Sequence, residues 1–494
     1  MDELDVKRRE LSKNTPEHIK NALSQYLTPC VIADLMATMF DVGNMRDCSI
    51  LDPGAGLGVL ANTLAKHIQQ KGSNNITSIT AVELDERLIC DLHDTLKQID
   101  CGDIEVIHAD FLEKALEWIQ FCPNKRFSHI ILNPPYKKIL TSSIQRKLLR
   151  NAGIETVNLY SGFVGLCIML LKKQGELVAI IPRSFCNGPY YKPFRKIILK
   201  NTQIKQIHLF ESRRKNFRDD DVLQENVIIR LQNEPPCIHN IKISHSTDSS
   251  LNDYVEEIYS SKDIVKPNDP EFFIRIPDNK KQETTVQESN IHNTLKSLSL
   301  SVSTGPVVDF RTRQYLSPMP QNGTVPLIYP MHLHMTKCIW PQESSKKPNS
   351  IFSNDETKKM LFPSGYYCVV KRFSSKEEKR RIFASVVSPD DFRGSDFLGF
   401  ENHLNIFHHE KKGLDKDIAF GLMVFLNSDL VDRYFRTFNG HTQVNATDLK
   451  QMYYPSINDL RELGIWAQKQ MILSIDLIDQ HVEKTLCHNN LMNI

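Results

Sequence analysis

The chain has 494 residues, too many for one ordinary hydrophobic core, so we expect at least two domains. Its 40% apolar and 24% charged residues are typical of a globular protein, and no stretch approaches the roughly 18 apolar residues of a membrane span. The charged N-terminus lacks the apolar segment of a secretory signal, which favours a cytoplasmic protein with no membrane partner. Eleven cysteines without a C-x-x-C pair favour reduced thiols and argue against a disulfide framework or a zinc ribbon.

The formal net charge is only +2, but the charges are unevenly distributed along the chain. Residues 81–124 contain eleven acidic and three basic side chains, whereas residues 125–218 contain nineteen basic and three acidic ones. A basic stretch of this size favours an anion-binding surface, such as one for a phosphate backbone. A solvated face with the same composition is the alternative.

The first amphipathic helix is expected to begin near residue 28. Thr28 has the side chain of an N-cap, and Pro29 suits the first helical position. Apolar residues then recur at helical spacing as far as Phe40. This pattern predicts a helix packed against a core.

A glycine-rich turn follows a short apolar strand that begins near Cys48, and a helix is predicted after it as far as Gly72. Gly54, Gly56 and Gly58 would let the backbone pass close to a bound ligand. Their spacing departs from the dinucleotide fingerprint G-x-G-x-x-G, so a turn without a ligand stays an alternative.

The next two predicted strands, 76–85 and 104–111, each carry an acidic residue near their ends. Glu83 stands where an adenosine ribose is commonly held, which makes its carboxylate a candidate partner for the ribose hydroxyls. Asp110 could accept a hydrogen bond from an adenine amino group while Phe111 packs on the ring. A helix cap and a core aromatic are the structural alternatives for this pair.

The run 127–136 predicts a buried strand that delivers the loop Asn133-Pro134-Pro135-Tyr136. The prolines restrict the backbone, so the Asn133 amide and the Pro134 carbonyl can converge as two acceptors beside the flat ring of Tyr136. Two acceptors and a stacking face suit a planar ring with an exocyclic amino group whose nitrogen lone pair is turned outward. The loop therefore indicates a site for methylating an amine.

The alternation of strands and helices predicts a doubly wound α/β sheet. Four polar residues follow successive strands and would meet at one edge of that sheet, where ligands bind. They are Asp52, Glu83, Asp110 and Asn133. Later elements are predicted as a buried helix at 157–171 and strands near 175–185, 204–210 and 225–231.

The alternating pattern fades near residue 235. We therefore predict a doubly wound domain at 1–243, a polar and charged linker at 244–299, and an irregular α+β domain at 300–494. In the first domain, one loop mixes basic and aromatic side chains, which could contact phosphates or stack on bases unless the loop is merely solvated. Its candidate residues are Arg213, Arg214 and Phe217.

In the second domain, the segments 365–373 and 380–387 are predicted to pair as a hairpin. The ends of these strands and their turn are strongly basic, so the hairpin could enter a nucleic-acid groove or rest on phosphates. A solubilising edge is the alternative. The basic candidates are Lys371, Arg372, Lys379, Arg380 and Arg381.

Gln443 and Asn445 stand at alternating positions of a late extended segment, and amide side chains of this kind pair bidentately with adenine. A histidine-rich run at 402–409 raises the question of a metal. His408 and His409 are adjacent, however, and would point to opposite faces of one strand. No cysteine has a suitable spacing either, so we expect no metal site.

The order of these motifs resembles the gamma class of amino-methylating DNA methyltransferases. Residues 24–29 are similar to the motif before the glycine loop of that class, residues 52–58 to its cofactor loop, and residues 133–136 to its catalytic loop. In the second half, short stretches look similar to type II modification methylases of the BsuBI/PstI group. These stretches are 304–308, 371–376 and 440–448. Gly54 replaces the usual Ala, Ser or Cys of the cofactor loop, a small-for-small exchange.

The resemblance implies an S-adenosylmethionine-dependent enzyme that methylates the N6 amino group of a flipped-out adenine in double-stranded DNA. It places Tyr26 and Thr28 near the methionine part of the cofactor and Glu83 on the ribose. It also implies that Asn133, Pro134 and Tyr136 bind the target adenine. It also implies a target-recognition domain after the catalytic domain, CTGCAG as the modified site, and a separate cognate restriction endonuclease that need not bind the methyltransferase stably.

Other hypotheses remain open at this stage. The same loop occurs in enzymes that methylate guanine amines in RNA or glutamine side chains in proteins, but those do not account for the long second domain. Cytosine N4 methylation is chemically closest, although that class more often has Ser as the first residue of the loop. A non-catalytic DNA-binding subunit would be a different kind of protein, and the intact loop argues against it.

Overall fold

The computed structural model describes residues 3–16, 27–42, 47–72, 76–210, 226–267, 269–277, 291–343, 346–374, 378–392, 394–439 and 442–487. The chain divides into two compact units, Met1–Asn279 and Lys280–Ile494.

The first unit is built on one large sheet. Its strands are β1 (Cys48–Pro53), β2 (Ile76–Glu83), β3 (Ile104–His108), β4 (Phe127–Leu132), β5 (Leu171–Pro182), β6 (Gln203–Phe210), β7 (Asn226–Gln232), β8 (Asn240–Ser246) and β9 (Val255–Ser260). The strand order is β3-β2-β1-β4-β5-β7-β6-β8-β9. The strands from β3 to β5 are parallel, and β7 is antiparallel between β5 and β6. The order reverses between β1 and β4, which confirms the predicted doubly wound α/β fold.

Helices cover both faces of this sheet. They are α1 (Glu3–Asn14), α2 (Cys30–Thr38), α3 (Val59–Gln70), α4 (Ile89–Lys97), α5 (Phe111–Phe121), α6 (Ile144–Asn151), α7 (Leu159–Leu170), α8 (Lys192–Asn201) and α9 (Ser261–Ile264). Ile50 packs in one core with α2, α3 and α4, whereas Leu51 packs in another with α5, α7 and α8. Because successive residues of a strand face opposite sides, these contacts show that both faces of β1 are buried, and its residues before Asp52 are apolar apart from the buried Ser49.

The predicted linker at 244–299 is partly wrong. β8 continues to Ser246 and pairs with β6, and β9 pairs with β8, so the sheet extends well into the segment that was assigned to a linker. β9 is an edge strand in which Glu256 and Glu257 are exposed, and an exposed edge has no need of the apolar pattern on which the prediction depended. The first unit therefore runs to Asn279.

The second unit combines small sheets with a group of helices. Its strands are β10 (Ser301–Thr304), β11 (Leu316–Ser317), β12 (Thr324–Ile328), β13 (Leu333–His334), β14 (Lys337–Cys338), β15 (Ser350–Phe352), β16 (Leu361–Pro363), β17 (Tyr367–Lys371), β18 (Ala384–Val387), β19 (Phe397–Phe400) and β20 (Leu404–His408). The sheets have the orders β10-β20-β17-β18, β11-β15-β12-β19-β16 and β13-β14. The predicted hairpin is confirmed, since β17 pairs with β18 antiparallel.

The helices of the second unit lie mainly at its C-terminal end. They are α10 (Asp355–Lys358), α11 (Lys416–Leu426), α12 (Asp429–Phe438), α13 (Ala446–Gln451), α14 (Ile457–Gln468) and α15 (Ile475–Cys487). α11 and α14 touch backbone to backbone at two glycines. A Cβ atom on Gly421 would lie 1.8 Å from the Leu460 carbonyl oxygen, and one on Gly464 would lie 1.8 Å from the Asp417 carbonyl oxygen. No larger residue fits either position without separating the helices.

Two further observations concern the part of the chain that the structure describes. None of its helices is long and apolar enough to cross a membrane. No three of its His, Cys, Asp or Glu side chains are grouped so that they could hold a metal ion.

The backbone contact between α11 and α14 yields a stability prediction. Gly421→Ala should lower the free energy of unfolding by about 3 kcal/mol or more, because backbone cannot yield as a flexible side chain can. Ile465→Ala on the same α14, where the side chain is exposed, should change it by less than roughly 0.5 kcal/mol. Urea unfolding followed by circular dichroism measures both, and equal effects would contradict the close contact.

Candidate active site

The glycine loop joins β1 to α3 and depends on left-handed backbone. Gly54, Gly56 and Gly58 have φ values of 76°, 57° and 78°, which side chains with a Cβ rarely adopt. A Cβ on Gly56 would also lie 3.0 Å from Leu27 Cδ2, and one on Gly58 would lie 2.8 Å from Leu92 Cδ1. The loop therefore packs closely on its own surroundings and leaves the backbone itself to line the cleft.

Glu83, at the end of β2, is held in place by backbone amides. Its Oε2 accepts a hydrogen bond from the Gly56 N–H at 2.7 Å, and its Oε1 accepts from the N–H groups of Leu84 and Asp85 at 2.9 and 2.8 Å. The side chain is buried, and burial raises the pKa of the carboxyl although the three amides oppose the rise. The carboxylate thus ties the glycine loop to the end of the neighbouring strand.

Asp52, at the end of β1, is buried completely. Its Oδ2 accepts a hydrogen bond from the Ala61 N–H in the first turn of α3 at 3.1 Å, and its Oδ1 has no partner among the described residues. Burial raises the pKa of Asp52 from 3.8 to about 7. A buried carboxylate oxygen that lacks a partner is costly, which is why burial favours the protonated form of this carboxyl.

Asp110 and Phe111 stand at the start of α5. The Asp110 Oδ1 accepts a hydrogen bond from the Leu112 N–H at 2.8 Å, so Asp110 is a helix N-cap. This is the structural alternative that the sequence left open. Phe111 is a buried core residue whose ring lies 4.9 Å from that of Phe163. Both residues nevertheless line the cleft, so their structural roles do not remove them from contact with a ligand.

Asn133, directly after β4, is held from two sides. Its Nδ2 donates a hydrogen bond to Thr28 Oγ1 at 3.0 Å, and its Oδ1 accepts one from the Tyr136 hydroxyl at 3.1 Å. With the amide nitrogen engaged by Thr28, the orientation of the oxygen is set. A carbonyl oxygen has two lone pairs, so an amide oxygen held in this way is of the kind that can accept more than one hydrogen bond.

The predicted N-cap role of Thr28 is wrong by one residue. Pro29 is the N-cap of α2, and its carbonyl accepts hydrogen bonds from the N–H groups of Ile32 and Ala33 at 3.0 Å. The Thr28 hydroxyl does not cap the helix and instead accepts a hydrogen bond from Asn133 Nδ2. Spacing along the sequence could not reveal this contact, because its two residues are 105 positions apart.

Tyr136 anchors the far end of the same loop. Its hydroxyl donates to the Ile180 carbonyl on β5 at 2.9 Å as well as to Asn133, and the two acceptors share one proton. Burial raises the pKa of Tyr136 well above its usual value, so the hydroxyl stays a donor at any physiological pH. Its ring packs edge-on against Tyr160 at 6.2 Å. Pro134 between these residues is buried.

One cleft of about 380 Å³ brings most of these groups together. The predicted residues that line it are Thr28, Gly54, Gly56, Glu83, Asp110, Phe111 and Asn133. The sequence analysis did not assign Leu27, Lys137, Lys138 or Phe163, which also line it. Leu27 lies within the motif at 24–29 and the two lysines directly follow the loop 133–136, so their positions in the sequence were a usable signal. Phe163 belongs to the uniformly apolar α7, which offers no such signal.

Several predicted residues lie outside the described part of the chain. They are Tyr26, Arg213, Arg214 and Phe217. Their assigned contacts stay predictions.

The basic run of the second unit is not one surface, which corrects two of the predicted DNA contacts. Lys379 is exposed, but Arg380 is ion-paired with Asp429 and with Asp479. Arg381 is 1% exposed, and its guanidinium donates to Ser374 Oγ and to Asn439 Oδ1, each at 3.1 Å. Arg380 and Arg381 therefore stabilise the packing of the hairpin on the C-terminal helices and are not available to phosphates.

The remaining predicted contacts of the second unit are partly exposed. Lys371 Nζ lies 4.1 Å from the centre of the Phe383 ring, and Arg372 Nη1 donates to the Asn402 carbonyl at 3.2 Å. Gln443 and Phe373 form an isolated antiparallel β-bridge. Asn445 forms a capping box with Asp448 at the start of α13, so its amide has a structural role that the alternating pattern did not reveal.

The chain is similar to known methyltransferases of restriction-modification systems. Residues 64–217 match the family model for the Eco57I restriction-modification methylase. The type II methyltransferase M.BsuBI of Bacillus subtilis is 46% identical over 475 residues, which cover 94% of this chain and 93% of the relative. M.PstI of Providencia stuartii is 39% identical over 474 residues, with 93% and 92% covered. The solved type IIG restriction endonuclease BpuSI aligns with 97% of this chain and 65% of its own, at 12% identity and a TM-score of 0.45.

The fold and the cleft define a methyltransferase with a doubly wound catalytic unit. At the identities found over nearly the whole chain, the protein belongs to the type II DNA methyltransferases of restriction-modification systems. DNA is therefore its substrate and S-adenosylmethionine its methyl donor.

The contact between Thr28 and Asn133 yields a prediction. Thr28→Val keeps the shape of the side chain and removes the oxygen that accepts from Asn133 Nδ2, so kcat should fall roughly tenfold or more as the amide loses its fixed orientation. Thr28→Ser restores the oxygen and should restore most of the activity. Methyl transfer from labelled cofactor to DNA measures both, and equal kcat values for the two variants would contradict a positioning role.

The buried carboxyl of Asp52 yields a prediction about pH. Its folded-state pKa lies above the unfolded value, so between pH about 4 and about 7 the folded protein holds a proton that the unfolded chain has released. The free energy of unfolding should therefore fall as the pH rises through this window, by at most about 1.4 kcal/mol per pH unit from this group.

Asp52→Asn removes the titrating carboxyl, so the free energy of unfolding of the variant should depend less on pH in this window. The measurement is urea unfolding of wild type and variant at several pH values without cofactor. A constant difference between the two proteins from pH 4 to pH 8 would show that Asp52 does not titrate in this window.

Proposed function

We propose that the chain transfers a methyl group from S-adenosylmethionine to the N6 amino group of an adenine that is flipped out of duplex DNA. The observation that carries the proposal is the fixed amide of Asn133, which lines the same cleft as the glycine loop and Glu83. An amide oxygen with a set orientation, close to a cofactor loop, is suited to hold an amino group at the methyl donor.

The cleft residues fit the cofactor. The left-handed glycine loop lets backbone approach a ligand, and Glu83 presents a carboxylate at the end of the second strand. Glu83 would hold the ribose hydroxyls, and Thr28, with Tyr26, would lie near the methionine part. Asp110 and Phe111 would border the adenine ring of the cofactor. When bound, S-adenosylmethionine would supply a methyl group made electrophilic by the sulfonium, and the neutral thioether that remains would be a good leaving group.

The catalytic loop would hold the target base. Asn133 Oδ1 and the Pro134 carbonyl would accept hydrogen bonds from the two N–H groups of the adenine amine, and the Tyr136 ring would stack on the base. These bonds orient the nitrogen lone pair and increase its electron density. An amine held in this way would present its nitrogen to the methyl carbon. The new N–C bond would be balanced by cleavage of the C–S bond, whose electron pair would stay on the sulfur of the departing thioether, and by loss of one amine proton to solvent. The chain needs no covalent intermediate for this step, so its contribution is orientation and polarisation.

The second unit would recognise the DNA sequence. Identity to M.BsuBI and M.PstI extends through this unit, which supports a shared recognition site, and we propose CTGCAG. In a restriction-modification system the methylated site would be protected from a separate endonuclease. Cytosine N4 is the second candidate for the methylated atom, because its amine would fit the same two acceptors.

Asn133→Ala supplies the test. Methyl transfer should fall at least roughly a hundredfold, because the amine loses its acceptor, while cofactor binding by calorimetry should stay close to wild type. Asn151→Ala, an exposed residue at the end of α6, is the matched control and should leave both unchanged. More than about a tenth of wild-type turnover in the Asn133 variant would refute its assigned role.

The product identifies the base. Plasmid DNA is incubated with wild-type protein and S-adenosylmethionine, digested to nucleosides, and analysed by mass spectrometry. We expect N6-methyladenine as the product. N4-methylcytosine would show instead that cytosine is the base whose amino group is methylated. Resistance of the treated plasmid to an endonuclease that cuts CTGCAG tests the site separately.

A further inference from the structure

Three stretches of the second unit that are far apart in sequence meet at one end of its four-stranded sheet. They begin at Thr304, at Lys371 and at Thr442. The Thr304 hydroxyl donates to Asn405 Oδ1 at 3.1 Å, Asn405 Nδ2 donates to the Val444 carbonyl at 2.7 Å, and the Val444 N–H donates to the Arg372 carbonyl at 2.7 Å. These bonds form a continuous chain across all three stretches.

Asn405 is the centre of that chain. Its side chain is fully buried, and its amide is satisfied on both the oxygen and the nitrogen. A buried amide that lost either partner would pay a desolvation cost, so the three stretches are held as one rigid surface. Rigidity of this kind suits a surface that must discriminate between similar ligands.

Beside this junction, Phe373 and His403 expose a pair of rings. Phe373 is 48% exposed and the His403 side chain is 44% exposed, and their ring centres are 5.1 Å apart at an angle of 41°. Backbone bonds hold both, because the Arg372 N–H donates to the His403 carbonyl at 2.9 Å and Gln443 bridges to Phe373. A large apolar ring that is fixed in an exposed position is the feature to be explained.

A buried carboxylate orients His403. Glu401 is fully buried, its Oε1 lies 2.6 Å from His403 Nδ1, and its Oε2 accepts from the His403 backbone N–H at 2.9 Å. Nδ1 must carry a proton to donate to Glu401. If the His403 ring is neutral, its Nε2 is then an acceptor, and if the ring is charged, Nε2 is a donor. No described residue makes a hydrogen bond to Nε2. This nitrogen can therefore be offered to a ligand.

Lys371 completes the group. Together with Pro330, Phe373 and His403 it lines a shallow depression of about 330 Å³. Its ammonium lies 4.1 Å from the centre of the Phe383 ring, and burial lowers the pKa of Lys371. A half-buried lysine that is held over a ring is less suited to a distant phosphate than the exposed Lys379 and better suited to one defined contact.

We infer that Phe373, His403 and Lys371 read base edges of duplex DNA and set the sequence specificity of the methyltransferase. Lys371 can donate to guanine N7 and O6, His403 Nε2 can pair with a polar base edge, and Phe373 can contact a thymine methyl group or stack on an opened base step. The inference rests on DNA as the substrate of the proposed function, but it does not depend on which amino group is methylated.

The test uses DNA binding, so that it stays independent of methyl transfer. The full chain selects duplexes from a pool with a randomised centre, and the bound DNA is sequenced. Wild type should select a defined motif. Phe373→Ala and His403→Ala should lose selectivity at one or two positions of it, with affinity for the wild-type motif reduced roughly 5- to 150-fold. Phe373→Leu retains apolar volume without the flat ring and should share the loss.

The control is His481→Ala, which also breaks a ring pair in this unit, since His481 stacks on Trp466 at 4.0 Å. It should select the wild-type motif. Thermal unfolding checks that the variants remain folded. If Phe373→Ala and His403→Ala select the wild-type motif at every position with wild-type affinity, the inference is wrong.

Lys371→Ala separates a base contact from a phosphate contact. A base contact predicts lost selectivity at one position with an unchanged dependence of affinity on salt. A phosphate contact predicts equally weakened binding to all sequences and a salt slope that is smaller by about 0.9, which would remove Lys371 from the inferred site. A wild-type protein that selects a motif but forms no methylated adenine would overturn the proposed function and leave this inference standing.

Discussion

The active site depends on how one amide is held. Asn133 donates to Thr28 on one side and accepts from Tyr136 on the other, and Tyr136 is itself bonded to the backbone of β5. These groups come from three elements, so the amide oxygen has a defined direction only when the residue before α2, the loop 133–136 and β5 of the sheet are all in place. In the proposed reaction, orientation is what direct methyl transfer would demand of the protein, and this network would supply it without a charged group at the nitrogen to be methylated.

The sheet makes this arrangement possible because parallel strands end at the same edge. Asp52, Glu83 and Asn133 follow three strands that are neighbours in the sheet, and Glu83 links two of them by accepting the Gly56 N–H. Asp52 and Glu83 are carboxyls whose pKa values burial raises, so the folded protein carries two desolvated acidic groups at the ends of these strands. Such groups lower stability, and their position beside the glycine loop is where a ligand can compensate for them.

The sequence predicted the doubly wound fold, and most of the candidate cofactor residues it indicated line one cleft, because both depend on local patterns. A buried strand, a glycine turn and an Asn-Pro-Pro-Tyr loop each have a signature within a few residues. What failed depends on tertiary packing. Lys379, Arg380 and Arg381 look alike in sequence, yet one is exposed, one is paired with Asp429 and Asp479, and one is buried against Asn439. The linker was misjudged for the same reason, since the exposed edge strand β9 needs no apolar alternation.

The contact from Thr28 to Asn133 has a practical consequence for anyone who works with part of this chain. The segment that matches the Eco57I family model spans 64–217, so it contains Asn133 and Tyr136 but neither Thr28 nor the glycine loop. A fragment cloned to those limits would keep the most recognisable motif and lose the acceptor that aims it, together with the first strand of the central sheet. Its inactivity would say nothing about the enzyme, because the smallest piece that can be catalytic has to begin upstream of residue 28.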